Sequence, residues 1–235
     1  MTLNKIPKII WQTHEWEYSD LPQNFLAATM TWKNLNPDWE YRYVSAKERE
    51  SYIDTSFLNL YKMHDKVSQA DLWRYLVTHE YGGVYADMDS ICTTPLTYML
   101  DQGQHNAELV AMPIDANGYS NNSNFAIVNS SQIMKNILKN LISHYKKPNW
   151  IELFMNTTTT DEFWEYFTDR IKLHPALYYS VVFAEDPSLV SFSFNVIHSE
   201  GIKHTFNYDY PVNYYGKDTS YFELAREHKW ETHIY

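Results

Sequence analysis

The segment that spans residues 68–90, SQADLWRYLVTHEYGGVYADMDS, constrains the fold more than any other part of the chain. A helix-forming run ends at Gly82-Gly83, and a short β-favouring run then leads directly into Asp87-Met88-Asp89. Glycine readily adopts the left-handed backbone conformation that commonly ends a helix. The segment therefore predicts a helix over 70–81, a tight turn, and a buried strand with two carboxylates at its carboxyl end.

Strand-like and helix-like segments alternate along most of the chain. This alternation is typical of an α/β sandwich with a mostly parallel sheet. The predicted strands cover residues 8–11, 39–44, 84–86, 108–114, 124–128 and 190–198. The predicted helices cover 22–35, 47–53, 57–64, 70–81, 131–145 and 161–171; we expect Ser68 to cap the fourth, and Ser130 or Ser131 the fifth.

Composition and charge exclude several classes of function. The chain has 235 residues, which suits one domain with a substantial core, and its aromatic content of 17% argues against disorder. A formal net charge of −10 makes generic nucleic-acid binding a poor interpretation. Cys92 is the one cysteine, which excludes an internal disulfide. No apolar run approaches the length of a signal or membrane segment, so we expect a cytoplasmic protein without a transmembrane segment.

Asp87 and Asp89 have the spacing of a cation site. Side chains at positions i and i+2 of a strand share a face and lie about 7 Å apart, so two carboxylates can hold one divalent cation directly and through water. Oxygen ligands favour Mg²⁺ or Mn²⁺, which usually also bind substrate phosphates. Two other interpretations remain open: a solvated turn with two acids, and a phosphatase motif in which Asp87 is the nucleophile.

Asp71 and Arg74 lie three residues apart on the predicted helix and share one of its faces. They can take part in a functional site. Equally, Asp71 can form a capping box with Ser68, or the two charges can form an exposed ion pair worth under about 1 kcal/mol. Local sequence leaves these alternatives open.

Two separated blocks carry a family resemblance. The pattern A-D-x-x-R-Y-x-x-x-x-x-Y-G-G-x-Y-x-D-x-D runs over 70–89, and I-P-K-I-I-W-Q-T-H runs over 6–14. Both resemble segments of family 32 glycosyltransferases and of the catalytic domains of large clostridial glucosylating toxins. That family commonly has I-P-K-I-I-H-Q-T-W, so Trp11 and His14 exchange the usual residues. The resemblance implies a GT-A-type fold, a Rossmann-like α/β/α sandwich, as one catalytic domain over 1–235.

The resemblance also implies roles for individual residues. Asp87 and Asp89 would bind Mn²⁺ or Mg²⁺, with Asp89 in direct contact and Asp87 acting mainly through ribose or water. Asp71 and Arg74 would hold the donor hexose and the ribose side of the nucleotide. The nucleotide-sugar side would comprise mainly residues 6–95, and the acceptor side mainly 96–235.

The resemblance implies roles for two further groups of residues. Residues of the first block would border the base and ribose of the donor: Trp11, Gln12 and Thr13. A histidine near the carboxyl terminus would ligate the metal; His228 is the expected ligand, and the competing positions are His198, His204 and His233.

The implied reaction is a metal-dependent transfer of a hexose with retention of anomeric configuration. A UDP-sugar is favoured over GDP-mannose as donor, and the acceptor is expected to be a glycan or lipid-linked glycan. Retention can arise by double displacement or by front-face attack, and both remain open. The competing functions are a non-catalytic nucleotide-sugar or glycan binder and, less favoured, a D-x-D phosphatase. The sequence does not determine the oligomeric state.

Overall fold

The computed structural model describes residues 6–62, 66–101, 107–113, 120, 122–145, 178, 181–194 and 197–198. The strands in these ranges are β1 (Ile9–His14), β2 (Glu40–Ser45), β3 (Gly83–Ala86), β4 (Ser90–Ile91), β5 (Leu109–Ala111), β6 (Asn124–Ile127), β7 (Val190–Ser191) and β8 (Ile197–His198). The α-helices are α1 (Gln23–Leu35), α2 (Thr55–Lys62), α3 (Lys66–Tyr81), α4 (Leu96–Asp101) and α5 (Gln132–Tyr145). Short 3-10 helices cover Tyr18–Asp20 and Arg49–Tyr52.

The main sheet has six strands in the order β2-β1-β3-β6-β5-β7. Strand β1 pairs in parallel with β2 and β3, and β5 pairs in parallel with β7. Strand β6 runs antiparallel to both of its neighbours, β3 and β5. The prediction of a mostly parallel sheet is confirmed, and the reversed strand β6 is the exception to it.

Helices cover both faces of this sheet. Neighbouring residues of a strand point to opposite faces, so Val84 and Ala86 of β3 join one apolar cluster and Tyr85 joins another. Residues of α3 and α5 pack in the cluster of Tyr85, and residues of α1 and α4 pack in the other. The arrangement is the predicted α/β/α sandwich.

The turn between α3 and β3 follows the sequence prediction. Gly82 and Gly83 have φ angles of 66° and 102°, and the amide of Gly82 donates to the Thr78 carbonyl at 2.9 Å. A Cβ atom on Gly83 would lie 2.5 Å from the carbonyl oxygen of Ile9. Glycine is therefore required both for the backbone conformation and for the close approach of β3 to β1.

Two predicted helix boundaries have different outcomes. Helix α3 begins at Lys66, so Ser68 lies inside the helix and the prediction that it is the cap is wrong. The cap of α5 is confirmed at Ser131, whose Oγ accepts from the amide of Ile133 at 3.1 Å. The helix predicted over 161–171 lies outside the described residues.

The strand predicted over 190–198 is wrong as a single element. Its first residues form β7 at the edge of the main sheet, whereas Ile197–His198 form β8, which pairs antiparallel with β4 in a separate two-stranded sheet. Alternation of apolar and polar residues does not reveal where a chain leaves one sheet for another. In the part of the chain that the structure describes, no helix has the length and apolar content needed to cross a membrane.

Candidate active site

The two aspartates of the D-x-D motif lie in a turn that follows β3. The amide of Ser90 donates to the carbonyl of Asp87 at 3.0 Å, which closes a four-residue turn over 87–90. Strand β3 ends at Ala86, so strand alternation does not fix the relation of the two carboxylates, and the expectation that they share a strand face is wrong. The turn nevertheless stands at the carboxyl end of a central strand, where ligands commonly bind in α/β sheets.

The turn is fixed to the rest of the molecule on both sides. The amide of Asp87 donates to the carbonyl of Ser123 at 2.9 Å, which ties the turn to the segment before β6. Met88 is buried and packs in a small apolar cluster with Leu21 and Phe25. The backbone bond of Asp87 and the buried side chain of Met88 therefore hold the turn, with its two aspartates, at the carboxyl end of β3.

Asp71 and Arg74 form a buried ion pair on α3. Arg74 Nη2 lies 2.8 Å from Asp71 Oδ1, and each residue is 6% exposed. The interpretation as an exposed surface pair is therefore wrong. The capping-box interpretation is also wrong, because α3 begins five residues before Asp71.

Arg74 connects the helix to the D-x-D turn. Its Nη2 lies 3.3 Å from Asp87 Oδ1, and its guanidinium carbon lies 4.5 Å from the centre of the Tyr85 ring. The Tyr85 hydroxyl donates to the same Asp87 oxygen at 2.8 Å. Burial alone would lower the pKa of Arg74, but the neighbouring Asp87 and Asp71 carboxylates outweigh it and raise that pKa. Burial raises the pKa of Tyr85, so its hydroxyl stays protonated and donates.

Asn122 belongs to this network although the sequence did not single it out. Its carbonyl accepts from Arg74 Nη1 at 2.7 Å, and its Nδ2 donates to the Tyr75 hydroxyl at 2.7 Å and to Asp71 Oδ1 at 3.3 Å. Asn122 is 3% exposed. A run of polar residues that leads into a buried strand, N-N-S-N over 121–124, is the signal that could have indicated it.

The three residues of the first block that were expected to border the donor are buried in β1: Trp11, Gln12 and Thr13. Trp11 is fully buried; its ring packs edge-on against Trp73 and its indole nitrogen donates to the Gly82 carbonyl at 2.9 Å. Gln12 is also fully buried, and its amide nitrogen Nε2 donates to the Asp87 carbonyl at 3.1 Å. The structure thus places the Trp11 ring in the core, with no exposed face for a nucleotide base.

Thr13 lies nearer the carboxyl end of β1 and is held by an arginine. Its Oγ1 donates to the Val44 carbonyl at 2.6 Å and accepts from Arg49 Nε at 2.8 Å. Arg49 is buried and forms an ion pair with Glu15 at 2.7 Å. These contacts fix the segment where β1 leaves the sheet beside the D-x-D turn.

The expected histidine ligand lies outside the described residues. His228, His204 and His233 are among the residues that the structure does not describe. The backbone of His198 is described, and it pairs with Ser90, the residue after Asp89. Among the described residues there is no group of three or more His, Cys, Asp or Glu side chains that could hold a metal ion.

The donor set of the turn fits a hard divalent cation. Asp71 and Asp87 both contact Arg74, so two carboxylates share one positive charge, and Asp89 adds a further carboxylate to the turn. Carboxylate oxygens are ligands that Mg²⁺ and Mn²⁺ prefer, and such ions usually bind through one or two carboxylates together with substrate phosphates. Two aspartates in a partly exposed turn match that mode of binding.

Comparison with known proteins places this site within a recognised sequence region. Residues 22–107 match the family model described as "Glycosyltransferase sugar-binding region containing DXD motif". The matched segment contains Asp71, Arg74, Asp87 and Asp89. It covers less than half of the chain, and it does not reach the first block.

Curated relatives are mannosyltransferases of yeasts. The chain is 33% identical over 99 residues to inositol phosphoceramide mannosyltransferase 3 of Schizosaccharomyces pombe, which is 40% of this chain and 27% of that protein. It is 27% identical over 180 residues to inositol phosphoceramide mannosyltransferase 2 of the same yeast, which is 74% of this chain and 50% of that protein. The chain thus spans about a quarter to a half of the length of these two relatives.

A solved structure shares the fold. The PaToxG glycosyltransferase superposes with a TM-score of 0.51 at 14% identity, over 77% of this chain and 70% of that one. The similarity supports the predicted GT-A-type α/β fold, and at this identity it concerns the fold alone.

Proposed function

We propose that this chain is a metal-dependent glycosyltransferase that transfers a hexose from a nucleotide diphosphate sugar to a glycan or glycolipid. The observation that carries the proposal is the buried Asp71–Arg74 pair in contact with the D-x-D turn at the carboxyl end of β3. The match of residues 22–107 to a sugar-binding region with a DXD motif supports it independently.

The charges of the site suit a diphosphate with its cation. When the bond between the anomeric carbon and the diphosphate breaks, negative charge develops on the departing oxygens, and a bound divalent cation would stabilise that charge. Asp89 is the proposed direct ligand, as the family resemblance implies, and Asp87 would act mainly through ribose or water; one Asp87 oxygen accepts from Tyr85 and faces Arg74. His228 remains a proposed further ligand.

Asp71 and Arg74 would hold the sugar and ribose in this proposal. Burial and the contacts with Asn122 and Asp87 fix both side chains before any ligand binds. Groups that are already oriented supply binding energy without losing further conformational freedom, which lowers the barrier to the transfer step. Attack on the same face that the diphosphate leaves, with a departing diphosphate oxygen taking the proton of the acceptor hydroxyl, would give retention without a protein base.

The names of the relatives bear on the donor and acceptor. Both yeast proteins are named as mannosyltransferases that act on inositol phosphoceramide. We therefore include GDP-mannose beside the UDP-sugars favoured by the sequence, and a glycolipid beside soluble glycans. The product anomer, read by proton NMR, tests retention.

A thermal-shift panel tests the proposal. UDP, GDP, CMP and dTDP are each added with and without Mn²⁺. A ligand present at about a hundred times its Kd adds roughly 2.7 kcal/mol to the free energy of unfolding, which should raise the melting temperature by about 5 °C or more for a chain of this length. We expect one nucleotide to stabilise the protein, and to do so only when Mn²⁺ is present.

Three outcomes separate the candidate functions. Metal-dependent stabilisation by one nucleotide, followed by hydrolysis of the matching nucleotide sugar, supports a transferase. The same stabilisation without any turnover would favour a non-catalytic binder. Stabilisation by Mn²⁺ but by no nucleotide, together with release of phosphate from simple phosphoesters, would favour the phosphatase.

A further inference from the structure

We propose that Gln12 is a positioning residue that holds the backbone of the D-x-D turn, rather than a contact of the donor nucleotide. This inference rests on the proposed function for what the turn does, which is to bind the cation and the donor. The contacts that Gln12 makes with the turn are independent of that function. The residue lies on β1, and the turn follows β3, the strand paired with β1.

Both polar atoms of the Gln12 side chain are engaged within the protein. Nε2 donates to the carbonyl of Asp87 at 3.1 Å, and Oε1 accepts from the Tyr41 hydroxyl at 2.8 Å. Tyr41 lies on β2, on the other side of β1. The carboxamide therefore links the edge strand β2 to the turn. Because a carbonyl only accepts, the Asp87 carbonyl requires Nε2 to face it, which leaves Oε1 to accept from Tyr41.

Burial excludes Gln12 from direct contact with a ligand in this conformation. The residue is 0% exposed, so a nucleotide could reach its amide only if the turn or β2 moved away. A buried polar side chain with satisfied bonds is characteristic of a structural network, because leaving either partner unpaired costs free energy.

The contact lies at the carbonyl that defines the turn. The Asp87 carbonyl also accepts from the Ser90 amide, so Gln12 binds the same oxygen that closes the turn. The far end of the turn has a second anchor, since the indole nitrogen of Trp32 donates to the Ser90 carbonyl at 2.8 Å. Loss of the Gln12 contact should let the turn open more often and should disperse the directions of Asp87 and Asp89.

Amide hydrogen exchange of the metal-free protein tests this role directly. In the Gln12→Met variant, which keeps side-chain length but removes both polar atoms, we expect exchange of the 87–90 segment to accelerate about fivefold or more. Tyr41→Phe, which leaves the Gln12 donor in place, should give a smaller acceleration of the same segment. Ser131→Ala is the matched control. It removes a helix cap that follows β6, near the amino end of β3 and away from the turn at the carboxyl end, so exchange of 87–90 should be unchanged.

Calorimetric titration with Mn²⁺ alone, without nucleotide, is the second readout. We expect Gln12→Met to raise the Kd for Mn²⁺ several-fold, and Ser131→Ala to leave it unchanged while lowering the melting temperature. Unchanged exchange of 87–90 in Gln12→Met would overturn the positioning role, as would a loss confined to nucleotide affinity at saturating Mn²⁺. Equal Mn²⁺ binding by the unaltered protein and by Asp89→Asn would instead overturn the proposed function, while the exchange data still decide the role of Gln12.

Discussion

At the scale of single residues, the site depends on how one arginine is shared. Arg74 contacts the carboxylates of Asp71 and Asp87 and the carbonyl of Asn122, so it joins a helix, a turn and the start of β6. A buried guanidinium that loses one partner keeps its charge but loses a contact that offsets the cost of removing that charge from water. Such networks are therefore sensitive to single substitutions.

Substitution of Asp89 by asparagine should strongly reduce turnover and preserve the fold. The amide keeps the shape of the side chain but removes the charge that the proposed cation needs, so kcat/KM for nucleotide-sugar hydrolysis should fall on the order of 100-fold or more. Asp38→Asn is a matched control, because Asp38 is exposed and pairs with Lys8 at the amino edge of the sheet. Near-normal metal-dependent rates in Asp89→Asn would contradict the site assignment.

Substitution of Asn122 by alanine should reduce both stability and activity. The change removes the donor to Asp71 and to the Tyr75 hydroxyl but keeps the carbonyl that Arg74 uses. Loss of buried hydrogen bonds costs about 1–3 kcal/mol, measurable by urea denaturation. Asn122→Asp should cost more, because it places a carboxylate against Asp71. Equal free energies of unfolding for the two variants would argue against this network.

At the scale of elements, the order of strands decides which chain segments meet at the site. The amino end of β6 meets the carboxyl end of β3, because β6 runs antiparallel. A fully parallel sheet would have placed the other end of β6 there. This reversal is the reason that Asn122, which precedes β6, contacts Asp71 although 51 residues separate the two in the chain.

Substitution of Gly83 by alanine tests the turn that connects α3 to β3. The φ angle is 102°, and the added Cβ atom would lie 2.5 Å from the Ile9 carbonyl oxygen, which leaves no room for a side chain. We expect a loss of about 2 kcal/mol or more in the free energy of unfolding. Glu80→Ala, on the exposed last turn of α3, should change it by less than about 0.5 kcal/mol. A melting temperature equal to that of Glu80→Ala would refute the argument.

At the scale of the whole molecule, two apolar clusters on either side of the sheet enclose polar groups at its carboxyl edge. The predicted sandwich and the mostly parallel sheet are confirmed. They could be predicted because the alternation of apolar residues and the lengths of the segments are properties of local sequence. Site residues were less accessible to such reasoning. Spacing indicated only that Asp71 and Arg74 share a helix face and that Asp87 and Asp89 follow a strand, whereas the contacts of Asn122 and the burial of Trp11 depend on which elements pack together.

The pH dependence of global stability should reveal the partly buried histidine at the end of β1, His14. Burial, with a smaller contribution from Arg49, lowers the pKa of His14 to about 4. An unfolded histidine titrates near pH 6.5, so between pH 6.5 and 4 the unfolded chain binds a proton that the folded chain does not, and stability falls as the pH falls. We expect the unaltered protein to lose about 2 kcal/mol more than His14→Gln between pH 7.5 and 4.5, by chemical denaturation. Parallel losses in the two proteins would contradict a lowered pKa for His14.

The sequence by itself determined the local features: the helix that carries Asp71 and Arg74, the Gly82-Gly83 turn, and the position of Asp87 and Asp89 after a strand. Each depends on backbone preference or on spacing within a few residues. The tertiary structure alone decided that Gln12 bonds to Asp87 across 75 residues, and that Asp71 and Arg74 are buried beside Asn122. Such contacts depend on strand order and on packing of distant elements, and no periodicity in the chain encodes them.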